Sequence, residues 1–308
     1  MGEVVVRSAG LFVIALLVGS GVGCNAPLTL SETEFLEQQG QELVEENGLS
    51  VNGLSVNGLS VNGLSVNGLS VNGLSTSTFS SWFGTSPQLN AQMMKYLIAC
   101  AVPEGQTRSY TDSATGVSYT WPGRLGLARS WGAGKPATEL EEQVISACLA
   151  AHANPYGLKV GFSVLGMNAE GEALPYTAQE LSDYNIREAC FFGNLFRDQG
   201  LYAGNDSTQL DSSKSTSRGC GLSKITSGSN PDCPAIARVG TCNQANCVLD
   251  ATGTYYTRCT YNRVSYRPVT TRLPSTALNT CGDGICQVSE QCGLGTTADN
   301  CADCGACR

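Results

Sequence analysis

Histidine is almost missing from this chain of 308 residues: there is one, His152. A single imidazole excludes every site that needs two, among them HExxH zinc proteases and Cys₂His₂ or His₃ zinc centres. Charge is scarce too, at 14% where about 25% is usual, and positive charge is the rarer sign. Eighteen basic residues face 26 acidic ones, for a formal net charge of −8. No nucleic-acid partner is expected, because such partners call for a basic face. Nucleophile and phosphate motifs are missing as well: neither Gly-x-Ser-x-Gly, Ser-x-x-Lys, Walker A nor Gly-x-Gly-x-x-Gly occurs. The charge that is present is unevenly placed. Residues 31–46 carry six Glu and no base, residues 281–308 carry four acids against Arg308, and residues 76–280 are close to neutral.

What the chain does have is an export address. Arg7 precedes an apolar run, Leu11–Val18, too short for a bilayer core that needs about 20 residues but the right length for a signal-peptide core. Small residues follow, and the ending Gly21-Val22-Gly23-Cys24 resembles a bacterial lipobox, whose Cys is acylated and becomes the new N-terminus. Gly21 stands where that pattern prefers Leu. The expectation is a signal peptide over residues 1–23 and a lipid, palmitate included, on Cys24. Cysteine parity points the same way. Fifteen Cys is an odd number, which in an exported protein asks for an explanation. With Cys24 acylated, fourteen remain for seven bridges. Eight of them (Cys100, Cys148, Cys190, Cys220, Cys233, Cys242, Cys247, Cys259) lie in a central block, and six (Cys281, Cys286, Cys292, Cys301, Cys304, Cys307) lie in the last 28 residues. An oxidising compartment follows.

Residues 24–46 are expected to hold the anchor and a short acidic helix, opened by the capping box Ser31-Glu32-Thr33-Glu34 and running to about Glu46. Residues 47–75 repeat Asn-Gly-Leu-Ser six times with Val between copies. The period of five superficially resembles pentapeptide-repeat β-helices, but the residue order differs and six copies make only one and a half coils. A mobile Gly-rich spacer is therefore expected here.

Residues 76–273 read as an α+β, disulfide-bonded domain. Ser86-Pro87 opens a helix with Leu89, Met93, Tyr96, Leu97 and Cys100 on one face; the capping box at Thr138 and Glu141 opens another, with Leu140, Val144, Cys148 and Ala151. A Cys100–Cys148 bridge suits that arrangement, although eight Cys allow 105 pairings. Thr107–Tyr110 and Val117–Trp121 read as a hairpin, Leu158–Val164 as a strand, Cys242 to Cys259 as a small disulfide-tied hairpin, and Val264–Leu273 as a closing strand. Gly204 to Asn230 is a surface loop by composition. His152, in a helix's last turn, is expected at the surface, where a cation suits the dipole. Glu139, Glu141 and Glu142 invite comparison with glycosidase carboxylates, yet their first-turn position already accounts for them. Tyr176, Tyr184, Tyr202, Tyr255 and Tyr256 suit packing or a sugar-binding surface.

Residues 274–308 form a Cys-rich module: Cys281-Gly-Asp-Gly-Ile-Cys286, then Glu290-Gln-Cys292, then Asp303-Cys304-Gly-Ala-Cys307. It resembles a short module, CGDGxC…ExC…DCGxC, that recurs in exported proteins of myxobacteria, with a longer stretch at Gly293–Asn300 than is usual. Asp283, Glu290, Asp299 and Asp303 could gather on Ca²⁺, which takes carboxylates from tight Gly-bearing loops. The bland alternative is a soluble disulfide knot. The whole layout is similar to predicted lipoproteins of myxobacteria, through Lys95-Tyr96-Leu97, Cys100, Gln106, Ser146-Ala-Cys148-Leu and Gly193-Asn-Leu-Phe196. That resemblance implies location and no assigned reaction. The expectation is a lipid-anchored protein of the bacterial envelope, in the outer membrane, with a binding or structural role towards an envelope or extracellular protein or glycan. It carries no catalytic residue and no cofactor beyond the Ca²⁺ just named. The alternative is an envelope hydrolase acting on glycan or peptide through paired carboxylates.

Overall fold

A computed structural model describes residues 44–46, 49–50, 62–154, 159–206, 210–216, 218, 222 and 235–307. The signal segment, Cys24, the Ser31 capping box, Cys220 and Cys233 lie outside the described residues. No helix among the described residues is long and apolar enough to cross a membrane.

Strands β1 (Val44–Glu46) and β2 (Leu49–Ser50) come first. Helical turns α1 (Leu64–Asn67) and α2 (Val71–Leu74) follow, then helices α3 (Ser77–Thr85) and α4 (Pro87–Ala101). The hairpin β3 (Thr107–Thr111) and β4 (Ser118–Pro122) leads through the turn α5 (Arg129–Gly132) to α6 (Glu139–His152). Beyond it lie β5 (Ala153–Asn154), β6 (Gly161–Gly166), α7 (Ala178–Asp183), β7 (Ile186–Gly193), β8 (Leu201–Asn205) and β9 (Lys214–Thr216). The rest is strand: β10 (Ile236–Thr241), β11 (Val248–Leu249), β12 (Tyr256–Tyr261), β13 (Val264–Tyr266), β14 (Val269–Leu273) and β15 (Leu278–Thr280), with β16 (Thr296–Thr297) and β17 (Asn300–Cys301) in the terminal module. The chain is α+β.

A six-stranded sheet in the order β1-β6-β14-β7-β8-β10 organises the core. It is antiparallel except for the parallel pair of β10 with β8. Its strands alternate between two apolar layers, as a pleat requires. On β7, Ala189 and Phe191 join the main core with α4 and α6, while Cys190 and Phe192 join a second cluster with Tyr256, Cys242, Cys259 and Tyr266. Both faces of the sheet are thus covered. Helix α6 lies against β7, β14 and β8, and α4 packs on α6. α6 starts where the sequence says it should, with Thr138 and Glu141 forming the reciprocal capping box. Cys100 and Cys148 bridge the two helices.

Several expectations need correction. The acidic helix does not reach Glu46, because Val44–Glu46 pairs antiparallel with Gly161–Ser163 and covers the backbone edge of β6. The repeat is not a mobile spacer in its described copies. Leu64, Leu69 and Leu74 are buried in the main core, as is Leu49. Backbone bonds tie them down: Leu69 N donates to Trp131 O at 2.9 Å, Trp131 Nε1 to Leu64 O at 2.7 Å, Ala137 N to Ser65 O at 2.8 Å, and Arg108 Nε to Leu69 O at 2.8 Å. Gly68 shows why the small residue matters, since a Cβ there would sit 2.4 Å from the Gly134 backbone. The expected closing strand is two, β13 and β14, divided at Pro268, which has no N–H to give a ladder. β14 is central in its sheet, between β6 and β7. Leu140 is 40% exposed, because α6 buries the face and flanks that begin at Glu141. His152 is fully buried.

All described bridges join cysteines of the same group. Cys190 pairs with Cys242, and Cys247 with Cys259. In the terminal module the order is first to fourth, second to fifth and third to sixth: Cys281–Cys301, Cys286–Cys304 and Cys292–Cys307. The module is nonetheless seated on the central domain. β15 pairs antiparallel with β9. Cys281 N donates to Ser213 O at 2.9 Å, Ala298 N to Ser212 O at 3.0 Å, and the hydroxyls of Ser215 and Ser289 lie 2.8 Å apart.

Candidate functional site

The seam between the central sheet and the terminal module encloses a cleft of about 230 Å³. Asn205 at the end of β8 and Arg238 and Thr241 on β10 form one wall; Asp211 comes from the loop before β9 and Lys214 from its first residue; Ala298 and Asp299 close it from the module. The parallel β8–β10 pair slips register between Arg238 and Thr241, the two β10 residues that line the cleft. Among the described residues, Arg238 Nε and Asn205 Oδ1 are shielded from solvent and have no hydrogen-bond partner. Burial pushes the Arg238 guanidinium below its ordinary pKa, and Asp299 nearby pushes it back up. Asp211 is held by the Ser213 hydroxyl at 2.6 Å and by Lys214 Nζ at 3.0 Å, and its carboxyl falls to about 2. It stays ionised at neutral pH and cannot serve as a proton donor there.

Each acid of the α6 trio has a structural partner, and Glu139 and Glu142 share Arg197, at 3.4 and 2.6 Å. Glu141 accepts from Ser130 Oγ at 2.7 Å, Trp131 N at 2.9 Å, Thr138 N at 2.9 Å and Thr138 Oγ1 at 3.1 Å. Burial alone would raise its pKa, but these four bonds outweigh it and the group lies below its ordinary value. Glu142 accepts from Asn194 Nδ2 at 3.1 Å and Arg197 Nε at 2.6 Å. Both carboxylates hold neighbouring segments together. His152 Nδ1 lies 2.8 Å from Cys148 O, so that nitrogen carries the proton, and its ring packs between Tyr96 and Phe162 at 5.1 and 5.2 Å. Tyr202, Tyr261 and Tyr266 pack around Phe192 in tilted and edge-on contacts, and Tyr256 donates to Asp206 at 2.9 Å.

In the terminal module, Asp303, Asp283 and Glu290 each accept from an amide of the Gly282–Gln287 loop. Gly282 N donates to Asp303 Oδ2 at 2.6 Å, Gln287 Nε2 to Asp283 Oδ2 at 2.7 Å, and Gln287 N to Glu290 Oε2 at 3.1 Å. Burial first, and then the charges of Asp283 and Asp303, raise the pKa of Glu290. Asp299 belongs instead to the cleft beside Arg238, because it lies on the short turn between β16 and β17.

One buried polar network left no mark in the sequence. Glu188 on β7 pairs with Arg218, both fully buried, and accepts from Thr216 Oγ1 at 2.9 Å and Thr271 Oγ1 at 2.7 Å. Arg218 also donates to Ala151 O and lies 4.1 Å from the centre of the Phe162 ring. It pins the segment after β9 onto α6 and the sheet. No local pattern announces it, because its members are separated by up to 83 residues.

Comparison with known proteins adds one likeness. Residues 47–75 match the GLTT repeat in six copies, the same stretch whose Leu49, Leu64, Leu69 and Leu74 are buried in the core. No curated protein and no solved structure matches the chain.

Proposed function

We propose that this chain is a lipoprotein of the bacterial cell envelope, anchored through Cys24, that works by binding an anionic group of an envelope or extracellular glycan or peptide in the seam cleft. The observation that carries the reading is the Arg238 guanidinium, whose Nε is shielded and without a partner among the described residues while it lines an open cleft with Lys214. A desolvated donor of that kind gains a charge-assisted bond when a carboxylate or sulfate arrives. The six described bridges fit an oxidising compartment, and the lipobox-like ending at Cys24 supports the location. Calorimetry of the purified chain against uronic-acid oligosaccharides and stem peptides of peptidoglycan tests the binding. Arg238→Met should weaken the best ligand at least about tenfold, the value of one charge-assisted bond. Undiminished binding would remove the cleft from the reading. For the anchor, Cys24→Ser should abolish labelling by a fatty-acid probe.

The second reading, a hydrolase using paired carboxylates, would have to use Asp211 and Asp299, the two carboxylates of the cleft. The low pKa of Asp211 fits a nucleophile and not an acid. Turnover of glycan or peptide that disappears in both Asp211→Asn and Asp299→Asn would favour the hydrolase over binding.

A further inference from the structure

We propose that the bridges Cys190–Cys242 and Cys247–Cys259 form a thiol–disulfide exchange site, in which a dithiol that opens Cys247–Cys259 frees Cys247 to take over Cys190 and release Cys242. The observation that carries it is a contact between bridges. Cys247 Sγ lies 3.6 Å from Cys190 Sγ, although the two belong to different disulfides. The sulfurs of Cys190, Cys247 and Cys259 all lie within 4.8 Å of one another.

The chain builds this contact locally. β10 ends at Thr241, and the next residues fold back in a tight turn: Ala245 N donates to Thr241 O at 3.1 Å and Cys247 N to Cys242 O at 3.0 Å. The turn is held on β12 by Thr260 N, which donates to Ala245 O at 3.0 Å one residue beyond Cys259. Cys190 comes from β7 and joins Cys242 and Cys259 in the second apolar cluster, against which Cys247 packs. Gly204 on β8 leaves room for them, since a Cβ there would stand 3.1 Å from Cys190 Sγ.

Exposure sets the order of events. Cys190, Cys242 and Cys259 are fully buried, whereas Cys247 is half-buried. An incoming thiolate therefore reaches Cys247 Sγ first. A mixed disulfide forms there, the Cys247–Cys259 bond breaks, and Cys259 leaves as a thiolate that takes up a proton. The reductant's second thiol closes its own disulfide and releases Cys247 as a thiolate, the form that attacks disulfides. Cys247 then bonds Cys190 Sγ, the Cys190–Cys242 bond breaks, and Cys242 leaves and is protonated. One dithiol is oxidised and one protein bridge is lost; the second step changes no oxidation state. Chain entropy favours neither pairing, because the two loops span 52 and 57 residues. The thiols left, Cys242 and Cys259, sit in apolar surroundings, which hold them neutral and slow to attack back. The exchange moves a covalent tie of β7 from the end of β10 to the far side of the turn. Cys242 adjoins Thr241 in the cleft wall, so that wall is untied, although the exchange does not depend on what the cleft binds.

The pairing can be read by titrating the purified full chain with dithiothreitol, quenching in acid, labelling the denatured chain with N-ethylmaleimide and mapping peptides without reduction. The fully buried Cys100–Cys148 bridge, left unlabelled, marks chains that are still folded. In those chains a Cys190–Cys247 peptide should appear together with label on Cys242 and Cys259. Label only on Cys247 and Cys259 with Cys190–Cys242 intact, or only on Cys190 and Cys242 with Cys247–Cys259 intact, would overturn the proposal. Cys259→Ser supplies the Cys247 thiol with no reductant. Its label should divide between Cys242 and Cys247, with at least about one chain in ten carrying Cys190–Cys247, as loops of near-equal length imply. Label confined to Cys247 in that variant would count equally against the exchange. None of these outcomes touches the Arg238 cleft reading, which rests on a different ligand and a different variant.

Discussion

Glu141 and Arg218 illustrate how single buried charges hold this molecule together. Glu141→Gln keeps the shape but exchanges a charged acceptor for one that mismatches two of four donors. We expect a loss of about 1–3 kcal/mol in urea unfolding. The pKa of Glu141 is lower in the fold than its ordinary 4.5, so its contribution is present above about pH 4.5 and is lost as pH falls through the lowered value. The parent's stability should decline in that window, and the decline should be shallower in Glu141→Gln. Arg218→Ala would strand Glu188 without its counter-charge, a change that costs about 3–5 kcal/mol in comparable buried pairs. A loss under about 1 kcal/mol would mean that water reaches Glu188. Glycines separate two effects in the same way. Gly105 and Gly68 both have a positive φ, +78° and +71°, but a Cβ at Gly105 meets open space. Gly105→Ala should cost about 1–2 kcal/mol from conformation alone, and Gly68→Ala clearly more, because the Gly134 backbone blocks it. Equal melting shifts for the two variants would contradict the close approach.

Elements were legible in the sequence in proportion to how local their causes are. The β3–β4 hairpin lies within a residue of its expected bounds, because alternation and the Asp112-to-Gly116 turn are both written in adjacent residues. Helices α4 and α6 declare themselves through Pro87 and the Thr138–Glu141 box. The repeat shows the opposite case. One Leu in five is too sparse to fold unaided, and its partner surface, around Trp131 and Gly134, stands more than 50 residues further on. Leu69→Ala is expected to cost about 2–5 kcal/mol by denaturant unfolding, as for other fully buried leucines; a spacer residue would cost nothing. The seam cleft was illegible for the same reason, since its walls come from four separated segments, and only the acids of the Cys281–Asp303 loop had been marked by their Gly-bearing turns.

At the scale of the whole molecule, no described disulfide joins the central domain to the terminal module, yet β15 on β9 and the Ser215–Ser289 contact seat one on the other. Calorimetric unfolding of the oxidised chain should therefore give one transition for the two parts; a separate module transition would show the seam to be incidental. A further consequence lies in the six copies at residues 47–75. The core sites filled by Leu64, Leu69 and Leu74 suit any copy, because all copies have the same side chains. A duplication or loss of five residues upstream would shift which copies are used and alter nothing in the sockets. The number of copies between Leu49 and Leu64 is thus open to change while the leucine sites keep their fit.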